Sequence, residues 1–416
     1  MANLAQRNAG DQGNLKEAKL PRRDLLLLPL LGLLTIGLLA ASTELIARRL
    51  FTESSTRPDG CIERHDLSTG WRGIPNCVTW DKGYEGELTE VQFNGSGFRA
   101  EMEFGPKQPG TYRIVAVGSS FATGLAAESA ISLPAELSRR TRRRVELYNE
   151  AIEGWGGTPR NIASRFNKVL SAQPDMVLWI LTMWDIRNAS GMWPNDEILP
   201  NESRKFPEKG AAADGAPAAS SAVTGLRAKM KSIANSSLDA TRELWRDSRS
   251  YLMLTHFLYE FEGQSAYLKS SNLWHNDAQY LGAAPSEKRL RHLQEFEGYA
   301  AKIEAQAKAA NVPLVAVFLP NRQQAAVISM GGWPANVDPF SLDNELRSIV
   351  VGHGGTYIDI LPSYRDIPNA ELGYFPVDGH PNPKGNSTIA GLLVKALTSG
   401  AVPELKTAAL PQLPAR

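Results

Sequence analysis

Five short apolar runs, distributed between residues 113 and 361, most constrain the fold of this chain of 416 residues. Each run is rich in Val, Ile and Leu. Continuous apolar runs of this length are typical of strands that are buried on both faces. The predicted strands are Arg113–Gly118, Val145–Ile152, Met176–Met183, Pro313–Pro320 and Thr356–Leu361.

Helical patterns lie between these runs. The predicted helices are Ala127–Arg140, Thr158–Ser171, Ser286–Ala310 and Pro383–Leu397. Strands that alternate with helices predict an α/β fold with a parallel sheet and right-handed crossovers. Because ligands of such sheets bind at the carboxyl ends of the strands, the residues that follow each run are the candidates for chemistry.

The N-terminus predicts a membrane anchor over residues 24–47. No charged residue lies between Leu25 and Thr43, which is long enough to cross the hydrocarbon core of a bilayer. Basic residues precede the run and place residues 1–23 in the cytoplasm: Arg7, Lys16, Lys19, Arg22 and Arg23. Arg48 and Arg49 weaken this asymmetry without reversing it. The alternative is a signal peptide cleaved near Ala40-Ala41-Ser42, and either interpretation predicts an exported domain.

The rest of the chain divides by composition. Residues 50–110 are rich in turn residues and predict an irregular lead-in with small β elements. Residues 111–400 form the predicted α/β domain, interrupted at 188–284 by an insertion that is a candidate lid, specificity element or docking surface. Residues 401–416 are predicted to be a disordered tail.

Charge and cysteine content narrow the chemistry. The formal net charge is +1, which does not suggest a nucleic-acid partner. Neither a cofactor nor a metal is expected, since no Cys/His cluster with zinc-ligand spacing occurs. Export would place Cys61 and Cys77 in an oxidising compartment, which predicts a disulfide between them. Two unpaired thiols are the alternative.

Polar residues follow the predicted strands. Ser120 comes directly after the first strand in Gly118-Ser119-Ser120, where the next helix would aim backbone N–H groups at a developing oxyanion. The plain alternative is a Gly/Ser turn. After the fifth strand, Asp378 and His380 flank one glycine, a spacing that lets a carboxylate orient an imidazole base. A lone structural histidine is the alternative there.

The second and third strands end in short motifs of their own. The second ends at Glu153-Gly154-Trp155-Gly156, and the third at Thr182-Met183-Trp184-Asp185. Together, four such pieces in this chain order resemble the SGNH (GDSL-like) hydrolase family. The resemblance covers Val91 to Ser399, with the insertion outside it. It implies the family's flavodoxin-like three-layer fold.

The resemblance also implies roles for single residues. Ser120 matches the nucleophile, His380 the base, and Asp378 the acid that orients it. The backbone N–H groups of Ser120 and Gly154 would form the oxyanion hole. The spacing of Asp378 and His380 resembles the branch that includes periplasmic polysaccharide acetylation proteins.

Two positions depart from the family pattern. Ser119 stands where Asp is usual, and Trp184 replaces the Asn whose side chain donates to the oxyanion. Thr182 is a candidate for that missing donor, and Thr182, Trp184, Asp185 and Trp155 are candidate pocket residues. The motifs of two other hydrolase designs, Gly-x-Ser-x-Gly and His-Glu-x-x-His, do not occur in the chain.

We therefore expect a single-pass protein of the bacterial inner membrane whose catalytic domain faces the periplasm. The expected activity is that of a serine esterase or O-acyltransferase on an acyl ester. Aromatic residues near the site favour an acylated carbohydrate as its substrate, and protein partners are not predicted. The alternative, favoured by Trp184 and Ser119, is an inactive binding or assembly protein that kept the fold.

Overall fold

A computed structural model of the protein describes residues 24–56, 60–66, 70–100, 103, 105–128, 130, 132–190, 248–270 and 278–408. The strands, in chain order, are β1 (Ser54–Ser55), β2 (Ile62–Asp66), β3 (Gly70–Gly73), β4 (Val78–Lys82), β5 (Thr89–Gln92), β6 (Tyr112–Gly118), β7 (Val145–Asn149), β8 (Met176–Leu181), β9 (Leu314–Phe318) and β10 (Thr356–Ile358). The last five are the strands predicted from the apolar runs: β6 begins one residue earlier than predicted, and the other four are shorter than predicted.

These five strands form one parallel sheet in the order β10-β9-β8-β6-β7. Read from the other edge, the order is second, first, third, fourth, fifth, which is the flavodoxin-like arrangement. All residues of β6, β8 and β9 are buried, because helices cover both faces. The predicted parallel α/β fold is confirmed. In this strand order, ligands bind at the switch point between β6 and β8.

The α-helices, in chain order, are α1 (Asp24–Leu50), α2 (Ser120–Glu128), α3 (Ser132–Thr141), α4 (Pro159–Ser164), α5 (Phe166–Ser171), α6 (Met183–Arg187), α7 (Arg249–Phe261), α8 (Gln264–Ser270), α9 (Ala278–Leu281), α10 (Glu287–Ala309), α11 (Arg322–Met330), α12 (Ser341–Gly352) and α13 (Pro383–Ala396). One layer contains α2, α3 and α13, which pack together. The other layer contains α4, α10 and α12. The sheet with its two helix layers is the three-layer arrangement.

Two helix predictions were wrong in detail. The helix expected over Ala127–Arg140 is two helices, α2 and α3, and α2 already begins at Ser120. Pro134 lies in the first turn of α3, where a missing N–H costs nothing, whereas inside a continuous helix it would break a hydrogen bond. The helix expected over Thr158–Ser171 is interrupted at Arg165, whose backbone leaves the helical region.

The lead-in contains the predicted small β elements. β1, β4 and β5 form an antiparallel sheet, and β2 pairs with β3. A disulfide joins Cys61 to Cys77, with 5.6 Å between their Cα atoms. Both cysteines are buried with Val91 and Phe93 in a small hydrophobic cluster of their own.

The N-terminal helix α1 continues three residues past the predicted end of the anchor, to Leu50. Within the described residues it is the one helix long and apolar enough to cross a membrane, over Leu27–Leu50. A signal sequence at the same place would have the same character. The predicted cytoplasmic tail, residues 1–23, lies outside the described residues.

The domain boundaries differ from the expected ones at the C-terminus. Residues 401–408 are not a loose tail, because Val402 and Leu405 are buried and Pro403–Leu405 forms a turn of 3-10 helix. Residues 409–416 lie outside the described residues. So do residues 191–247 and 271–277 of the predicted insertion. The described parts of the insertion are residues 188–190, α7, α8 and the segment containing α9.

Candidate active site

Ser120 lies at the carboxyl end of β6 and is the first residue of α2. The preceding Gly118 has φ +153, and a Cβ there would lie 2.5 Å from the carbonyl oxygen of Ile180 in β8. Glycine therefore allows the strand to turn directly into the helix at the centre of the sheet. Ser120 is half-buried, whereas its neighbour Ser119 is buried.

Ser120, His380 and Asp378 are connected in series. The Oγ of Ser120 lies 2.7 Å from Nε2 of His380. The other ring nitrogen, Nδ1, hydrogen-bonds Oδ1 of Asp378. A proton on Nδ1 directed at the carboxylate leaves Nε2 able to accept the serine proton. The ring of Phe121 packs beside the imidazole, with 5.0 Å between ring centroids.

The loop that carries Asp378 and His380 is a tight turn. The N–H of Phe375 donates to the carbonyl of His380 at 2.8 Å, and the N–H of Gly379 donates to the carbonyl of Phe375 at 3.1 Å. Gly379 has φ +81, a left-handed conformation that glycine adopts without strain. The N–H of His380 also donates to Oδ1 of Asp378 at 3.0 Å. The turn therefore brings the carboxylate of Asp378 into contact with the imidazole of His380.

The electrostatics of the pair match this geometry. For Asp378, burial alone would raise the pKa, but the hydrogen bonds and the charge of His380 lower it below its usual range. For His380, burial alone would lower the pKa, but the hydrogen bond and charge of Asp378, together with the charge of Glu153, raise it above its usual range. Neither here nor in the rest of the described part of the chain is a group of three His, Cys, Asp or Glu side chains placed to hold a metal ion.

Ser119 and Thr182 are directed at a different group, Asp185. The side chain of Ser119 lies close enough to this carboxylate to lower its pKa, so the two adjacent serines face different groups. The hydroxyl of Thr182 donates to Oδ2 of Asp185 at 2.7 Å. Burial raises the pKa of Asp185 to about 7, although the hydrogen bonds of Thr182 and Ser119 oppose this. Asp185 also caps α6 together with Thr182.

This arrangement corrects two expectations about the pocket. Thr182 does not supply the missing oxyanion donor, because its hydroxyl proton is directed at Asp185. Thr182 and Asp185 are also buried, so they support the site from below and do not line it.

The second motif lies against the first. Gly154–Gly157 forms one turn of 3-10 helix, in which Gly154 has φ +58. A Cβ on Gly157 would collide with Cα of Ser119 and the carbonyl of Gly118, so only glycine permits this close approach. The buried Arg165 holds the turn by donating to the carbonyls of Gly156 and Glu150.

The side chain of Trp184 faces the second motif. Its ring packs against Trp155 of the second motif, with 5.6 Å between the ring centroids. Both rings are half-buried. The position that carries Asn in the family pattern is thus filled by an aromatic contact between the second and third motifs.

Sequence reasoning missed Glu85 and His256. The side chain of Glu85 is fully buried, and its Oε2 accepts hydrogen bonds from two N–H groups of the loop that carries His380: that of Val377 at 2.9 Å and that of Asp378 at 2.7 Å. The same carboxylate hydrogen-bonds Nδ1 of His256 in α7. Glu85 lies in the turn-rich lead-in, 293 residues before Asp378, and no local pattern marks such a contact.

Comparisons with known proteins are sparse. No family model matches the chain, and no curated protein matches it. Among solved structures, the chain is similar to the psychrotrophic esterase EstA from Pseudoalteromonas sp., in a structure inhibited by monoethylphosphonate. The identity is 12% and the TM-score 0.30, over 68% of this chain and 96% of the esterase. At this TM-score the likeness carries no weight, and the fold assignment depends on the strand order alone.

Proposed function

We propose that this protein is a serine-dependent esterase or O-acyltransferase of the SGNH type. The observation that carries the proposal is the series Ser120–His380–Asp378, with 2.7 Å between Ser120 Oγ and His380 Nε2. It is further supported by the position of Ser120, which is the first residue of a helix at the switch point of the sheet.

The proposed reaction begins when Ser120 Oγ attacks the acyl carbon of an ester. His380 Nε2 accepts the hydroxyl proton, and Asp378 stabilises the resulting imidazolium. The tetrahedral intermediate then collapses: the ester C–O bond breaks, and His380 returns the proton to the departing alcohol. Water or an acceptor hydroxyl next attacks the acyl-enzyme, again with His380 as base. The product is a free acid or a new ester.

The proposed oxyanion hole consists of the backbone N–H groups of Ser120 and Gly154. The dipole of α2 favours negative charge at Ser120. The close contact of Gly157 with Ser119 keeps the second motif beside the nucleophile. Trp184 provides only an indole N–H where the family pattern has an amide, so we expect a weaker hole than in a site with all three donors.

The proposed location is the periplasmic face of the bacterial inner membrane, with α1 as an uncleaved anchor. The apolar Leu27–Leu50 span and the basic residues before it support this. The proposed substrate is an exported acyl ester, for which the exposed edges of Trp155 and Trp184 favour an acylated glycan.

The test is active-site labelling with a fluorophosphonate, paired with hydrolysis of p-nitrophenyl acetate. Ser120→Ala should lose labelling and turnover, since it removes the nucleophile. Ser119→Ala is the matched control and should still be labelled, because its hydroxyl faces Asp185. Labelling that persists in Ser120→Ala or maps to Ser119 would show that the nucleophile is misassigned.

A second candidate is a non-catalytic binding protein of the cell envelope. The packing of Trp184 against Trp155 at the oxyanion-donor position favours it. Under this hypothesis, the wild-type protein neither reacts with the fluorophosphonate nor turns over any ester, but it binds glycans in an array. Any Ser120-dependent labelling would exclude it.

A further inference from the structure

The carboxylate of Glu153 lies exposed beside the proposed oxyanion hole. Glu153 directly precedes Gly154, whose N–H group is a proposed oxyanion donor. Its side chain is 57% exposed, and the reaction proposed above assigns it no role. A charge next to the reacting atoms also acts on the part of the substrate that lies beside the ester.

Arg99, in the lead-in, fixes the position of this carboxylate. Its Nη1 donates to Oε1 of Glu153 at 3.1 Å. The backbone N–H of Arg99 donates to the carbonyl of Asn149 at the end of β7, so the pair joins the lead-in to the sheet. Only 14% of the Arg99 side chain is exposed, so a ligand meets the carboxylate and not the guanidinium. Among the described residues, Oε2 of Glu153 has no protein partner and can accept hydrogen bonds from a ligand.

The charge of Glu153 reaches the proposed base. Burial lowers the pKa of His380, but the hydrogen bond and charge of Asp378 and the charge of Glu153 raise it above its usual range. Both charges that act on the imidazole are therefore negative. A substrate with an anionic group near His380 would be repelled by two carboxylates, whereas an uncharged substrate would not be.

Trp155 lies on the other side of Gly154 in the sequence. Its ring is half-buried and packs against the half-buried ring of Trp184, with 5.6 Å between their centroids. An indole offers an apolar face to the C–H groups of a sugar ring, while a carboxylate accepts hydrogen bonds from its hydroxyls. Glu153 and Trp155 thus provide both kinds of contact from the two residues that flank a proposed oxyanion donor.

We infer that Glu153 is a specificity-determining residue, which selects acyl esters of uncharged, hydroxyl-rich alcohols and rejects those with an anionic group beside the ester. The substrate class is therefore an uncharged acylated glycan. This inference rests on the proposed function and adds to it the charge of the substrate. The competing role for Glu153 is structural, as an exposed ion-pair partner that only joins Arg99 of the lead-in to the second motif.

The test compares methyl glucoside and methyl glucuronide, each acetylated at the same hydroxyl, by the release of acetate. The two esters differ in one carboxylate, and the ratio of their kcat/KM values cancels any effect on the shared chemistry. At low ionic strength, the wild type should prefer the glucoside ester by about fivefold or more. Glu153→Gln keeps the size and one acceptor oxygen but removes the charge, so its ratio should lie within about twofold of unity. Added salt should reduce the preference of the wild type and leave that of Glu153→Gln unchanged.

Glu297→Gln is the matched control. The side chain of Glu297 in α10 is 52% exposed and also forms an ion pair, with His353 at 3.4 Å. His353 precedes β10 and so lies toward the amino ends of the strands, away from the site. This variant should keep the wild-type ratio. A lower Tm for Glu153→Gln with an unchanged ratio would show that the Arg99 pair is only structural, and a wild-type preference for the glucuronide ester would equally overturn the inference.

A third ester, p-nitrophenyl acetate, separates this inference from the proposed function. A wild type that hydrolyses p-nitrophenyl acetate but neither sugar ester would overturn the substrate class alone. A wild type inactive on all three would refute the proposed function, and the charge preference is then measured as binding. In saturation-transfer NMR, Ser120→Ala should bind the glucoside ester about fivefold more tightly than the glucuronide ester, and adding Glu153→Gln should abolish the difference. Equal binding of both esters by Ser120→Ala would overturn the preference itself.

Discussion

The pKa of His380 is determined by two opposing effects, its burial and the influence of two nearby carboxylates. Burial lowers its pKa, while the hydrogen bond and charge of Asp378 and the charge of Glu153 raise it more. A general base must be neutral, so activity should appear as pH rises through this elevated pKa. We expect the acidic limb of kcat/KM for p-nitrophenyl acetate above the ordinary histidine value of about 6.5.

Asp378→Asn provides the matched test of that limb. The carboxylate of Asp378 is the main influence that raises the His380 pKa, so without it the limb should move to lower pH. The rate should also fall by up to about 10⁴-fold, because the asparagine no longer selects the proton on Nδ1. A wild-type limb at or below the ordinary histidine value would contradict the role of Asp378. The raised pKa of His380 also affects the free energy of unfolding. Its stabilising contribution is present at low pH and is lost as pH rises through that pKa.

Substitutions at Trp184 test how much the absence of an amide donor to the oxyanion lowers the rate. Trp184→Asn restores an amide donor where the family pattern has one and removes the contact with Trp155. We expect faster hydrolysis of small esters, since one such donor is typically worth about 10²–10³ in rate. Trp184→Leu removes the ring without adding a donor and should give no gain. A clear drop for Trp184→Asn in a folded protein would mean that the ring holds the substrate or the loop.

At the scale of elements, strands were easier to predict than the contacts between distant segments. The five parallel strands follow from local apolar runs, because burial on both faces of the three inner strands leaves almost only apolar residues in them. Four of the five were predicted too long, by up to three residues at one end, as at Val145–Ile152 against Val145–Asn149, whereas β6 begins one residue earlier than predicted. The extra residues are apolar for another reason: Ala151 and Ile152 are buried in the loop that leads to Gly154.

The helices show what a local pattern leaves out. The interruption at Arg165 arises because its guanidinium turns inward to the carbonyls of Gly156 and Glu150. Glu85 and His256 were missed for a related reason. Glu85 lies in a segment without a regular pattern and His256 lies inside the insertion, and they meet the loop that carries His380 only in the folded structure. Ser120 could be predicted as a site residue because it follows a strand almost directly, whereas Asp378 and His380 lie beyond two 3-10 turns after the last strand and were marked only by their own spacing.

Glu85→Gln tests whether the lead-in positions the catalytic loop. The amide oxygen can still accept from the N–H groups of Val377 and Asp378, but the negative charge that strengthens these hydrogen bonds is lost, and an N–H₂ group is turned toward Nδ1 of His256. We expect kcat for p-nitrophenyl acetate to fall about tenfold with KM nearly unchanged, since the loop carries the base and not the substrate contacts. Glu87→Gln, two residues away and exposed, is the control. A loss in KM alone would contradict a positioning role for Glu85.

On the scale of the whole molecule, the parts that determine location and chemistry are connected through a few side chains. α1 contacts α7 through Glu44 and Phe51, and α7 contacts the catalytic loop through His256 and Glu85. Ala47 and Phe51 are buried, so the last turns of α1 belong to the folded domain. The C-terminal end of α1 is thus packed in the same folded unit as the candidate site.

The orientation of α1 across the membrane can be tested with fusion reporters. Alkaline phosphatase fused after Phe51 should be active, because the basic residues before α1 favour a cytoplasmic N-terminus and an exported domain. The same reporter fused after Arg23 should be inactive, since it would precede the span. Activity reversed between the two fusions would refute export and leave the Cys61–Cys77 disulfide without an oxidising compartment.

A measurement on the expressed full-length protein distinguishes an uncleaved anchor from a cleaved signal peptide. A cut near Ala41 would remove most of the apolar run but leave Glu44, Ala47 and Phe51 on the domain, so folding alone cannot reveal it. The intact mass of the purified full-length chain decides the matter directly. We expect the uncut mass and retention in the membrane after an alkaline wash, because the span remains attached to a domain that contacts its last turns. A shortened, soluble chain would show that the helix only directs export.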